Sequence, residues 1–213
     1  AGNTNVVFAV TDAGQIIHEY RHETNLRTTA DDLAVWFLSL LQLEKKDFTA
    51  IDAVVIASVA PALDYALRAF VRKYLKLEPV FIFSGINLPF ELKLPNPNQA
   101  GADRICNAAG VRAHYSYPTI VIDLGTATTF DVIDAGGDYV GGVIAPGPQA
   151  SLQALIEATS KLPHIHIIRP ERVLGSDTIS AMQSGLFWGY VGLIEGILRQ
   201  LQAELGELKS IIA

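Results

Sequence analysis

Thr119-Ile120-Val121-Ile122-Asp123-Leu124-Gly125-Thr126-Ala127-Thr128-Thr129-Phe130-Asp131 opens as a short apolar, β-branched run, the composition of a buried strand. It then passes a carboxylate, a glycine and three threonines within seven positions. A second strand, Thr129 to Ile133, follows and turns back through Asp134-Ala135-Gly136-Gly137-Asp138. A strand that ends in small residues leaves backbone amides open and lets a phosphate approach the main chain. The hydroxyls of Thr126, Thr128 and Thr129 can donate to its oxygens. Asp123 has no basic residue around it in sequence and can hold a cation. The same residues also describe a tight hairpin whose hydroxyls satisfy its own turn. Taken alone, the stretch leaves both readings open.

Bulk composition narrows the class around this hairpin. The 213 residues suffice for one large or two small domains, each with a core. Half of them are apolar, yet no run has the length to cross a bilayer, and the residues given do not open with a basic, apolar, small-residue signal. A net charge of −6 with scattered Lys and Arg argues against a nucleic-acid partner. Cys106 is the single cysteine, which excludes an internal disulfide and suits a reducing compartment. CxxC, HExxH and GxGxxG patterns are absent from the sequence, so a zinc site and a Rossmann fingerprint have no support. The expectation is a soluble, acidic, cytoplasmic α/β protein without a membrane partner.

In chain order, Gly2-Asn3-Thr4-Asn5 precedes a strand at Val6–Val10. Thr11-Asp12-Ala13-Gly14 turns into a second strand at Gln15–Tyr20, and a third extended piece covers His22–Leu26. Thr28-Thr29 caps a helix over Ala30–Leu43, with Asp31 and Asp32 in its first turn and Leu33, Phe37, Leu40 and Leu41 inward. A strand at Ala53–Ala57, a helix at Ala62–Leu75 and a strand at Val80–Phe83 follow, and such alternation calls for a sheet covered by helices. The irregular Leu94–Asp103 stretch leads into a helix at Arg104–Tyr115, with Asp103 at its N-cap. A capping role alone would explain Asp103. Arg104 opposes the helix dipole, so something else keeps it there.

Beyond the central hairpin, Tyr139–Ile144 reads as a strand. Ala145-Pro146-Gly147-Pro148 leads into a helix with Leu152 and Leu155 inward. Leu162–Pro170 is extended, and its alternating His164 and His166 fit one exposed strand face better than a metal site. Ser176-Asp177-Thr178 caps a helix over Ile179–Leu205, whose Gly185, Gly189, Gly192 and Gly196 suggest close packing in the core or across a dimer axis. A last strand starts at Ser210. The layout is duplicated: a Gly/Thr/Asn turn, a hairpin, a strand and a helix occur twice. Two such halves can grip one polyphosphate between them.

This arrangement resembles the acetate and sugar kinase/heat-shock 70/actin superfamily, and its motifs resemble type III pantothenate kinase. The matching pieces are Gly2-Asn3-Thr4-Asn5, Arg27–Asp31, Asn96-Pro97 with Gly101-Ala102-Asp103-Arg104, Asp123–Thr129, Gly141–Gly147, Lys161–Pro163 and Met182–Gly185. They run in order along nearly the whole chain. The resemblance implies duplicated ribonuclease H-like (actin-like ATPase) domains, at 1–117 and 118–213, with a nucleotide cleft between them. It implies ATP-dependent phosphorylation of pantothenate, the first step to coenzyme A, with Mg2+ accompanying ATP.

By the same analogy Asp103 is the base, and Gly101, Ala102, Arg104 and Leu94 line the pantothenate site. Gly2, Asn3, Thr4, Asn5, Gly125 and Thr126 meet ATP. Asp123 binds a monovalent cation, K+ or NH4+, and Thr178 reaches the pantothenate pocket of the neighbouring subunit in a homodimer. Two departures stand out. A tyrosine is common in the family where this chain has Leu94. The family's first loop also carries an aspartate just before the position of Ala1, and a Thr-Gly-Gly loop after that of Ala213, so both ends are expected to be truncated. The alternatives are a non-catalytic regulatory or binding protein on the same fold and a kinase of another small hydroxy compound.

Overall fold

The computed structural model describes residues 1–46 and 48–213, with Phe48 described by its backbone alone. It is a mixed α/β structure of two compact units, Ala1–Pro89 with Asn96–Cys106, and Phe90–Pro95 with Asn107–Ala213.

In the first unit β1 (Asn5–Asp12) and β2 (Gln15–Glu23) form an antiparallel hairpin. Period-2 alternation turns Val6, Phe8 and Val10 to one face, where they meet α1 (Ala30–Leu43) and α2 (Pro61–Phe70). Phe37 of α1 is the hub. Its ring lies 4.9 Å from Phe8 and 6.0 Å from Phe70, in the tilted and edge-on geometries that aromatic quadrupoles favour. Thr29 caps α1 as expected, in a reciprocal capping box with Asp32.

The separate extended piece at His22–Leu26 does not exist. His22 and Glu23 continue β2, paired with Val6 and Asn5, because the β1 partner is long enough to keep their backbone bonded. β3 (Val55–Ile56) and β4 (Val80–Phe81) are a short parallel pair. The Val59 amide donates to the Ala1 carbonyl at 2.9 Å, which ties the end of the β3 segment to the start of the chain. The predicted Ala62–Leu75 helix is α-helical only to Phe70. Val71–Leu75 widens into a π turn that ends at Lys76 in the left-handed region.

In the second unit β5 (Thr119–Leu124), β6 (Ala127–Ile133), β7 (Tyr139–Pro146) and β8 (Ser210–Ile212) make one sheet in the order β7-β6-β5-β8. The first three are antiparallel, and β8 runs parallel to β5. Ile120, Ile122, Phe130 and Val132 share one face and pack on Leu193, Ile197 and Leu201 of α5 (Thr178–Leu205). Asp177 caps α5 in a box with Ser180.

Side chains at Gly185, Gly189, Gly192 and Gly196 would meet nothing within 4 Å. The core-packing explanation of these glycines is therefore wrong for this chain. In α4 (Pro148–Glu157) Leu152 is buried but Leu155 is 37% exposed, since a helix packed on one side buries only one stripe. Leu162–Pro170 forms no strand, because it has no ladder partner, although His164 and His166 do alternate outward with the half-buried Ile165 and Ile167.

Candidate active site

Two segments of the first unit carry expected site residues. Gly2–Asn5 folds back on itself, the Gly2 amide donating to the Asn5 carbonyl at 2.9 Å. The end of β2 holds this loop through the Thr24 amide on the Thr4 carbonyl at 2.8 Å and Thr24 Oγ1 on the Gly2 carbonyl at 2.7 Å. Asn3 and Thr4 stand exposed at its tip.

The other segment is Asn96–Arg104. Asn96 Oδ1 accepts from the Asn98 amide at 3.2 Å and starts the single turn Pro97–Gln99. Helix α3 (Ala102–His114) begins directly after Gly101. Asp103 is therefore not the N-cap that the sequence suggested. Ala102, a strong helix former whose methyl is buried, starts the helix two residues before the expected Arg104.

Asp103 lies inside the first turn, where a carboxylate still suits the dipole, and its Oδ1 accepts from the Arg104 amide at 2.9 Å. A Cβ at Gly101 would overlap that oxygen, so a side chain at 101 and this carboxylate position exclude each other. Arg104 Nε is buried with no hydrogen-bond partner among the described residues. An orphaned cationic donor at a helix N-terminus is unfavourable twice over, and an anionic ligand would relieve both costs.

In the second unit the β5–β6 turn is closed by the Gly125 amide on the Ala127 carbonyl at 3.0 Å. Asp123, Gly125 and Thr126 are exposed there. The other two hydroxyls do not join them. Thr128 is fully buried, its Oγ1 lacking a partner among the described residues, and Thr129 Oγ1 donates to Asp131 at 3.3 Å. Strand alternation sends these two residues to opposite faces of the sheet, away from the turn.

The Gly147 amide donates to the Thr126 carbonyl at 3.0 Å. A Cβ at 147 would overlap the carbonyls of Gly125 and Thr126, so only glycine lets α4 start against this turn. Gly147 caps α4 without a side-chain bond, and Pro148 occupies the first turn, which leaves the following amides as uncapped donors. A turn, an uncapped helix start and a carboxylate thus lie together, a combination suited to a phosphate beside a cation.

Leu94 sits on a clamped strip. Lys93 Nζ lies 2.7 Å from Asp134 and 2.9 Å from Asp138. The Lys93 amide donates to the Tyr139 carbonyl at 2.8 Å, and the Glu91 amide to Asp138 at 2.9 Å. The Lys93 ammonium is pushed well above its ordinary range by its bonds to Asp134 and Asp138. Leu94 itself is half-buried, and its side chain offers no hydrogen bond. Thr178, the first residue of α5, is exposed on the rim of an open hollow of about 620 Å³, lined by Leu155, Leu162, Met182 and Leu186.

The sequence reading passed over Asp131. It is 1% exposed, and its oxygens accept from Asn107 Nδ2 at 2.9 Å, Tyr139 Oη at 3.2 Å and Thr129. Its signal was available: a carboxylate inside the apolar strand Phe130–Ile133, four residues before which nothing basic occurs.

Gly2–Asn5 and Gly101–Arg104 belong to the first unit, and Leu94, Asp123, Gly125, Thr126 and Thr178 to the second. Among the described residues no cluster of His, Cys, Asp and Glu could by itself hold a metal ion, and no helix is long and apolar enough to cross a membrane.

Residues 1–200 match the profile of type III pantothenate kinase. A type III pantothenate kinase of Paramagnetospirillum magneticum is 47% identical over 214 residues, covering 100% of this chain and 82% of that protein. One from Caulobacter vibrioides is also 47% identical with the same coverage, and one from Acidiphilium cryptum is 45% identical, covering 100% and 80%. Among solved structures, a Campylobacter jejuni protein described as a Baf family transcriptional activator has a TM-score of 0.55 at 16% identity, covering 100% of this chain and 88% of that one. At that identity the likeness concerns the fold alone.

Proposed function

The chain belongs to the type III pantothenate kinase family, and from the residues at its two loops we propose how it carries out the first step of coenzyme A biosynthesis. It is a phosphotransferase that uses ATP. In our reading, Asp103 takes the proton of the pantothenate hydroxyl as that oxygen attacks the γ-phosphorus, and ADP leaves. The observation that carries the reading is the Gly101–Arg104 turn. There a carboxylate is held in a position that only glycine at 101 permits, beside an orphaned guanidinium nitrogen. Arg104 pairs with the pantothenate carboxylate in this account, and Gly101 and Ala102 line the same site.

Phosphoryl transfer depends on alignment and on donors around the migrating charge more than on covalent help from the protein. The Gly2–Asn5 loop and the Gly125–Thr126 turn supply backbone and hydroxyl donors for ATP. Mg2+ travels with the nucleotide, since it is held chiefly by phosphate oxygens and water. A monovalent cation fits the hard oxygens at Asp123 and the neighbouring turn carbonyls, and it supplies charge neutralisation there when bound.

We further read the chain as two actin-like halves, 1–117 and 118–213, each built as hairpin, strand and helix. The sheet order β7-β6-β5-β8 supports this for the second half. The Ala1–Val59 backbone bond, which would link β1 to β3, supports it for the first. A homodimer is proposed from the open glycine face of α5, with Thr178 reaching the partner's pantothenate pocket, and the enzyme is placed in the cytoplasm. ADP release that requires pantothenate and is lost in Asp103→Asn tests the core of the reading. Turnover without pantothenate, or full turnover in the variant, overturns it.

A further inference from the structure

We propose that Asp131 is a positioning residue for Asp103. It pins helix α3 through Asn107 and so fixes the direction of the catalytic carboxylate. The inference rests on the reading of Asp103 as the base.

Asp103 and Asn107 are four residues apart on one continuous helix, and residues at that spacing lie one above the other on the same face. Asn107 does not end in solvent. Its Nδ2 donates at 2.9 Å to Asp131 Oδ2 in the middle of β6. Asp131 is the only buried acidic side chain among the described residues. Thr129, two residues back on the same strand face, donates to the same oxygen at 3.3 Å, and Tyr139 Oη of β7 to the other at 3.2 Å. Donors from two strands and a helix therefore converge on one carboxylate.

Packing alone does not call for this arrangement. An apolar pair of similar volume would be as stable or more so, because burying a carboxylate is costly even when it is bonded. What the polar pair adds is direction. Asn107 can reach Asp131 in only one rotation and one axial position of α3, and a sliding apolar contact would not impose that. One turn earlier, the same helix carries the carboxylate that must meet a hydroxyl within hydrogen-bond reach. A misplacement of about 1 Å at such a group costs about a hundredfold in rate.

The test is a reciprocal swap in the intact protein, read as kcat per folded molecule well below each variant's melting temperature. In Asp131→Asn the new amide offers one acceptor where two oxygens accepted, and either Asn107 or Tyr139 loses its bond. In Asn107→Asp two carboxylates face each other. Each single variant is expected to lower kcat at least about tenfold while KM for ATP, whose loops lie outside α3, stays within about threefold, as for loss of alignment without loss of nucleotide binding. The double variant Asn107→Asp with Asp131→Asn restores a donor–acceptor pair with the partners exchanged, and its kcat should return to within about threefold of the parent.

Unchanged kcat in folded single variants, even with a lower melting temperature, would reduce the pair to a structural contact and overturn the proposal. If the single variants do not fold, the swap decides: a folded double variant with kcat still low overturns the proposal, and one near the parent supports it. Asp103→Asn, run in parallel, separates the two readings. Should it keep its turnover, the base assignment falls whatever the swap gives.

Discussion

Gly101 and Asp103 compete for one volume, and the chain resolves the competition by leaving residue 101 without a side chain. Gly101→Ala should therefore displace the Asp103 carboxylate, lowering kcat by about tenfold or more with the fold retained. Unaltered kinetics would mean that the carboxylate position is immaterial. Asp103→Asn should lower kcat about a hundredfold or more and change stability by only about 0.5 kcal/mol, the scale of a first-turn charge. Cys106 reports on the same charge. Its thiol, on a residue that keeps an exposed surface, is raised above the ordinary 9.0, first by partial desolvation and then by the Asp103 carboxylate. Alkylation needs the thiolate, so its half-maximal rate should fall above pH 9.0 and move down in Asp103→Asn. As the chain's single cysteine, it gives an unmixed signal, and an unshifted profile in the variant would separate Cys106 from Asp103.

At the scale of elements, caps and clamps carry the testable energetics. Thr29→Ala removes the capping box of α1 and should cost about 1 kcal/mol in denaturant titration. Asp138 is held below the ordinary carboxylate range by the Glu91 amide first and then by Lys93. A lowered folded-state value means that its contribution is present above pH 3.8 and is lost as the pH falls through the lowered value. Asp138→Asn should free the Leu94 strip, with faster amide exchange at Lys93 and Tyr139, whose amides bond across this clamp; unchanged exchange would show that the clamp does not hold the strip. Helix α1, the β5–β6–β7 meander and α5 were legible because caps, turns and periodicity agree there. The start of α3 was misread because a functional-looking Asp mimicked a cap that Gly101 and Ala102 made unnecessary. The Asp131–Asn107 bond was not legible, since its partners lie 24 residues apart and only the register of β6 brings them together.

For the molecule as a whole, the glycine face of α5 separates two arrangements. Side chains at Gly189 and Gly192 would meet open space within this chain. Gly→Ala there should stabilise an isolated chain by about 0.5–1 kcal/mol, but a bulkier Gly189→Leu should break the proposed dimer. Light scattering that shows the parent as a dimer and Gly189→Leu as a monomer supports the homodimer, and a monomeric parent sinks it. The central claim is a pantothenate kinase whose base is Asp103, and coupled measurement of ADP release with and without pantothenate, for the parent protein and Asp103→Asn, tests it most directly. The account predicts ADP release that depends on pantothenate in the parent and falls about a hundredfold or more in the variant; equal rates in the two proteins, or ADP release indifferent to pantothenate, would contradict it.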